Sequence, residues 1–226
     1  EDGIRDRSPS RGLGDVYKRQ RGEYAKPARR VQAAVEQAYE KGYLGNNILG
    51  TNFSLDVVVH LGAGAYICGE ETALLNSLEG KRGEPRLKPP YFPAVMGLYN
   101  KPTLVNNVET ISSVPWIIQN SGKEYSKLGV EGSTGTRIFS LSGHVNNPGN
   151  FEIEMGQSFG EFIDTFGKGI KNNKNVKAYI PGGASAPWFT GDQLDIKMTI
   201  DDVANAGSML GSGAVVVMDE DTNLVY

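Results

Sequence analysis

Between Pro27 and Lys41 apolar residues recur at intervals of three and four: Val31, Ala34, Val35, Ala38 and Tyr39 fall on one face of a helix. Pro27 suits its first turn and Gly42 supplies the stop. From Leu55 to Leu61 the pattern becomes LDVVVHL, β-branched and almost uniformly apolar, which predicts a strand covered on both faces in a buried sheet. GAGAYICGEE follows directly. Behind it TALLNSLEG predicts a short helix with Leu74, Leu75 and Leu78 apolar and Gly80 as its stop. The local order is strand, glycine turn, helix.

Five prolines between residues 81 and 103 (Pro85, Pro89, Pro90, Pro93, Pro102) predict an extended, rigid surface segment rather than a helix or an interior strand. A helical period returns from Asn106 to Asn120 through Val108, Ile111, Val114, Ile117 and Ile118, with Pro115 placed to end or kink it. Three glycines in residues 129–135 predict a linker and a domain boundary. Beyond it, Thr136 to Gly143 and Phe151 to Met155 alternate as strands around the turn Asn147-Pro148-Gly149-Asn150, a hairpin. Phe159, Phe162, Ile163 and Phe166 then sit at helical spacing. Val176 to Ile180 is strand-like, and Ala214 to Met218 is a second buried strand. Two strands, a helix and further strands make an α+β order. Residues 1–20 show neither period, which predicts disorder and a segment outside the native fold, a translated cloning or sequencing stretch in place of the true N-terminus.

Composition narrows the function. With 226 residues, 39% hydrophobic and 22% charged, the chain has the make-up of a globular protein with room for two units. A net charge of -3 offers no basic field for phosphate backbones, so nucleic acid is not expected as a partner. The longest apolar runs, such as Gly213 to Met218, are far below the roughly 20 residues of a membrane-spanning helix, so any membrane association would be indirect. The single cysteine, Cys68, permits no internal disulfide and agrees with a reducing compartment.

Gly62, Gly64 and Gly69 follow a strand and precede a helix, where phosphate can approach the backbone and meet the positive end of the helix dipole. Their spacing departs from the dinucleotide fingerprint, and a purely structural glycine turn reads equally well. Glu70 and Glu71 fall in the first helical turn, where the dipole alone favours carboxylates. Beside a nucleotide they would repel phosphate but accept hydrogen bonds from ribose hydroxyls or an amide. Cys68 has no companion thiol, and His60 and His144 read as strand residues satisfied by hydrogen bonds. Lys81, Arg82, Arg86 and Lys88 crowd the proline-stiffened segment ahead of Tyr91 and Phe92. A planar ring could stack on those aromatics while the cations meet phosphates; the alternative is a solvated basic loop with its rings in the core. Asn106 and Asn107 would cap the next helix or read the edge of a heterocycle.

Taken together, GAGAYICGEETALLNSLEGKRGEPRLKPPYFPA and KPTLVNNVET resemble, almost residue for residue, the NADH-binding, FMN-carrying flavoprotein subunit of complex I, the respiratory NADH:quinone oxidoreductase. The resemblance continues through IFSLSGHVNNPGNFE, YIPGGASAP and AGSMLGSGAVVVMDE, from about Arg21 to the end. It implies an α/β fold: a Rossmann-like FMN/NADH-binding domain over 21–135, an α+β ubiquitin-like β-grasp domain over 136–221, and in 222–226 the start of an iron-sulfur domain. It further implies that Tyr66, Gly69, Glu70 and Glu71 line FMN, with Gly62 and Gly64 in the same turn. Asn106, Asn107 and Thr110 would contact its phosphate or ring side, and Glu71 would also face the nicotinamide. Lys88 and an aromatic of PPYFPA, Phe92 ahead of Tyr91, would border NADH.

The family's glycine-rich FMN loop, of the form GRGGAGFPTG, is not in this sequence, nor are its CGxCxPC-type ligands for a 4Fe-4S cluster, which one cysteine cannot replace. The expectation is a piece of a longer parent, by itself inactive. That parent would transfer hydride from NADH to FMN and pass electrons through iron-sulfur clusters towards quinone, with no catalytic side chain. Its partners would be the other subunits of the NADH dehydrogenase module, iron-sulfur subunits among them. It would sit peripherally on the cytoplasmic side of the bacterial inner membrane, or on the matrix side in mitochondria. The diaphorase subunit of a soluble NAD-reducing hydrogenase or formate dehydrogenase shares these motifs. A noncatalytic β-grasp docking module is the alternative of another class.

Overall fold

The computed structural model describes residues 16–225, in two compact units divided between Val105 and Asn106. The chain is mixed α/β. In the first unit the elements are β1 (Val16–Gln20), α1 (Ala25–Glu40), β2 (Val57–Leu61), α2 (Glu71–Leu78) and the single turn α3 (Pro93–Met96). β1 and β2 pair in parallel, from Val16 opposite Val57 to Gln20 opposite Leu61, with α1 in the crossover between them. Residues 16–20 belong to the stretch expected to be disordered, whose first 15 positions lie outside the described residues. VYKRQ carries no alternation that could announce a strand, because a ladder is made by backbone groups. β2 departs from expectation too. Val58 and Leu61 are 44% and 57% exposed, since among the described residues β2 has one neighbouring strand and is not sandwiched on both faces.

α2 buries Thr72, Ala73 and Leu75. In the proline-rich segment behind it residues 82–87 lie outside helix and strand, but the segment is not extended throughout: Pro93 opens α3 and residues 98–100 form a 3-10 turn. At the first position of a helix proline's missing N–H is no loss and its φ is already helical.

The second unit begins with α4 (Val108–Asn120) and α5 (Gly122–Tyr125). Pro115 lies inside α4, which runs on to Asn120, so the proline does not end it. Residues 129–135, expected to be a linker, instead form a small antiparallel hairpin, β3 (Gly129–Val130) and β4 (Ser133–Thr134), whose turns use positive φ at Gly129, Gly132 and Gly135. The boundary expected at 135/136 thus falls inside this unit. Then come β5 (Thr136–Gly143), β6 (Gly149–Glu154), α6 (Phe159–Thr165), β7 (Val176–Ile180), β8 (Phe189–Thr190), α7 (Ile200–Asn205) and β9 (Ala214–Asp219).

The five strands of this sheet lie in the order β6-β5-β9-β7-β8. β5 runs parallel to β9 at its centre, and every other neighbouring pair is antiparallel. Residues alternate in burial along β9, with Val215 and Val217 fully buried between half-buried neighbours, so this strand too is covered on one face and not both. The covered face meets Phe159, Phe162 and Ile163 of α6, with Phe162 5.9 Å from Phe139 and Phe159 5.0 Å from Tyr179 between ring centres. A capping box starts α6: the Glu161 amide donates to Ser158 Oγ at 3.1 Å and the Ser158 amide to Glu161 Oε2 at 2.9 Å. Gly143 ends β5 with φ +91°, and a Cβ there would stand 2.1 Å from the Val217 carbonyl oxygen. His144, expected as a strand residue, follows directly; its Nδ1 accepts the Asp219 amide at 3.3 Å.

Candidate functional site

The glycine turn leads from β2 through Gly62 and Gly64 (φ +91°) into a 3-10 turn, Tyr66–Gly69, which delivers Glu70 to the start of α2. Glu70 is the N-cap. Its Oε2 accepts the Thr72 amide at 2.9 Å, the Ala73 amide at 2.8 Å and the Thr72 hydroxyl at 2.6 Å. Two amides at the positive end of α2, those of Thr72 and Ala73, are therefore met by the protein's own carboxylate. Of the two readings open for Glu70, dipole and cap or ligand contact, Oε2 takes the first; Oε1 remains for other partners. Burial works against ionisation of Glu70, yet the hydrogen bonds of Thr72 and Ala73 and the charge of Lys88 hold its pKa below the ordinary glutamate value.

Lys88 closes the cluster. Its Nζ hydrogen-bonds Glu71 Oε1 and lies 3.5 Å from Glu70 Oε1. The Glu71 hydrogen bond chiefly raises the Lys88 pKa. Both partners stay accessible, with Glu71 and Lys88 side chains 42% and 32% exposed. The same unit exposes two aromatics, Tyr66 in the glycine turn and Phe92 at the N-cap of α3. A Cβ built on Gly69 would meet open space. The first unit thus assembles Gly69, Glu70, Glu71 and Lys88 as a polar cluster with rings available for stacking on a flat ligand.

The basic segment divides its labour. Arg86 is buried: Nε donates to Asn76 Oδ1 at 2.8 Å and Nη1 to the Gly97 carbonyl at 3.0 Å. Nη2 stands 2.8 Å from Glu79 Oε1, an ion pair without hydrogen-bond alignment, and both side chains are under 10% exposed. Glu79 also accepts from Lys81 Nζ at 2.7 Å and from the Tyr99 amide at 2.8 Å. Burial opposes ionisation of Glu79, and these donors override it and lower its pKa. Tyr91 packs its ring 5.9 Å from the Arg86 guanidinium. Within this segment Arg86 and Lys81 pair with Glu79, and Lys88 pairs with Glu70 and Glu71. Sequence reasoning missed Thr72, Glu79 and Arg86 as the scaffold. The signal was a charged pair seven residues apart flanking the helix-stopping Gly80.

Asn106, Asn107 and Thr110 belong to the second unit and are exposed. Asn107 caps α4 by accepting the Glu109 amide at 3.0 Å, which realises the capping option for that residue. Among the described residues no helix is long and apolar enough to cross a membrane.

Residues 13–116 match the family model described as the Nuo51 FMN-binding domain, a stretch that holds every candidate residue above. The NADH-quinone oxidoreductase F subunit of Rickettsia felis is 47% identical over 216 residues, 95% of this chain and 51% of the relative. That of Mycobacterium tuberculosis H37Rv is 51% identical over 205 residues, 91% of this chain and 46% of the relative. The chain spans about half the length of the curated relatives it matches. Among solved structures, an NAD+-reducing [NiFe]-hydrogenase in the air-oxidized state superposes with a TM-score of 0.76 at 30% identity, covering 92% of this chain and 33% of that one. With a glycine turn, a capped helix and a lysine-bridged glutamate pair all inside the matched stretch, residues 13–116 are similar to the Nuo51 FMN-binding domain and the chain is a homologue of the NADH-quinone oxidoreductase F subunits.

Proposed function

We propose that this chain is the FMN- and NADH-binding part of an NADH-quinone oxidoreductase flavoprotein subunit. The observation that carries the reading is that the family match spans the first unit's cluster, in which Lys88 bridges Glu70 and Glu71 beside open space at Gly69. FMN, when bound, supplies a two-electron acceptor that can release electrons singly. The residues fit it: Tyr66 and Gly69 present a ring and a side-chain-free wall to a flat heterocycle, and Glu70 Oε1 offers an acceptor for ring or ribose donors. Asn106, Asn107 and Thr110, also inside the matched stretch, carry amides and a hydroxyl of the kind that binds a flavin's polar edge. Glu71 orients the nicotinamide of NADH, Lys88 meets the nucleotide's phosphates, and Phe92 stacks on its base. No side chain takes a proton from the substrate; the protein's work is to bind and orient.

The topology of the second unit supports a β-grasp reading of residues 136–221: a hairpin, a helix across one face, and first and last strands parallel at the centre of the sheet. The parent protein would pass electrons to iron-sulfur partners, including a 4Fe-4S cluster of its own beyond the residues present here, and lie peripherally on the cytoplasmic or matrix side of its membrane. The hydrogenase superposition supports a second reading, the diaphorase of a soluble NAD-reducing hydrogenase, but 30% identity against 47% favours the quinone oxidoreductase.

Titrating FMN into the chain while following flavin fluorescence tests the proposal. Saturable quenching that NADH modulates is the expected result; fluorescence that falls only by dilution overturns it for this chain.

A further inference from the structure

We infer that Arg86 is a positioning residue for the nucleotide-binding face, the base of the loop that presents Lys88 and Phe92. The inference rests on the reading above but on different atoms. Residues 87–92 form a loop that enters the single turn of α3, where the Thr103 amide donates to the Pro93 carbonyl at 2.8 Å. Lys88 cannot anchor that loop, because its contacts to Glu70 and Glu71 are exposed and contribute little. To meet a phosphate it must also leave Glu71. What holds the loop has to lie elsewhere.

Arg86 meets that need at both ends of the loop. Its own amide donates to Thr72 Oγ1 at 2.8 Å, and the same Thr72 hydroxyl donates to Glu70 Oε2 at 2.6 Å, so the start of the loop is joined to the helix cap. Its Nη1 reaches the Gly97 carbonyl at 3.0 Å, where the loop returns. Nε and Nη2 fasten the same planar group to Asn76 and Glu79 of the α2 end. One guanidinium thus ties 86, 97 and α2 into a closed base. Lysine, a single point donor, reproduces the charge but not the fork. Because this base is buried and independent of Lys88, the loop keeps its place while Lys88 changes partner.

Amide hydrogen exchange and ligand titration on the full chain and on Arg86→Lys and Glu79→Gln test this. In Arg86→Lys, exchange across residues 87–101 should accelerate at least tenfold, while α2 and the second unit change less than twofold. The NADH dissociation constant should rise about tenfold with that of FMN within twofold, and Glu79→Gln should show the same split more weakly. Unchanged exchange at 87–101, or equal losses for FMN and NADH, would overturn the inference, the second because it marks a general folding staple. If the unsubstituted chain bound neither nucleotide, the functional reading would fall, and the exchange data would still decide whether Arg86 holds the loop.

Discussion

Thr72 donates both its amide and its hydroxyl to Glu70 Oε2, at 2.9 and 2.6 Å, so one carboxylate oxygen at the candidate nucleotide site is committed to holding the helix behind it. Glu70 is therefore half scaffold and half site. Its two oxygens face different tasks, which makes its substitutions separable.

Glu70→Ala should cost about 1 kcal/mol of stability through loss of the α2 cap. Glu70→Gln, which keeps one carbonyl acceptor, should cost less. Urea unfolding followed through a probe in the first unit measures both; equal costs would show that Oε2 does not cap α2 in solution.

Glu71 carries no such burden. As half of an exposed ion pair, Glu71→Ala should change stability by under about 0.5 kcal/mol. It should weaken NADH binding severalfold if Glu71 orients the nicotinamide. A stability loss with intact NADH binding would reverse its assignment from ligand contact to scaffold.

Acid should loosen the site. Glu70 and Glu79 both have folded pKa values below the ordinary glutamate value, so the unfolded chain binds protons first as pH falls. Their stabilisation is present above the unfolded value, about 4.3, and is lost as pH descends through the lower folded values. Amide exchange of α2 and residues 86–101, measured from about pH 6 to pH 3 and corrected for intrinsic rates, should rise in that window. A Glu79→Gln variant should show a shallower rise.

In the second unit, Phe162→Ala should cost about 3–5 kcal/mol, because Phe162 is fully buried against Phe139, Phe151 and Phe166 and the cavity cannot collapse between a sheet and a helix. Gly143→Ala should also destabilise, through its positive φ and the Val217 carbonyl. Thermal unfolding of each variant gives the answer, and an unshifted transition for either would contradict the packing described.

Helices and strands whose pattern is written in their own residues were legible from the sequence: β5 and β7 occupy their expected spans, and α1, α2 and α6 lie where apolar spacing put them. The same holds for the family motifs and for the run Gly69, Glu70 and Glu71 at the start of α2. Periodicity and short-range chemistry determine these, since each needs only neighbours within a few residues. Other features were decided by partners far along the chain. β1 exists because β2 offers it a backbone edge, and β9 is buried on the face where α6 packs. α7 and β8 carried too short a pattern to be seen. Most of all, the sequence shows Arg86 and Lys88 as two cations of one basic run. Only the tertiary structure buries the first against Glu79 and leaves the second at the Glu70–Glu71 pair, because desolvation and pairing depend on which groups the fold brings within about 3 Å of each charge.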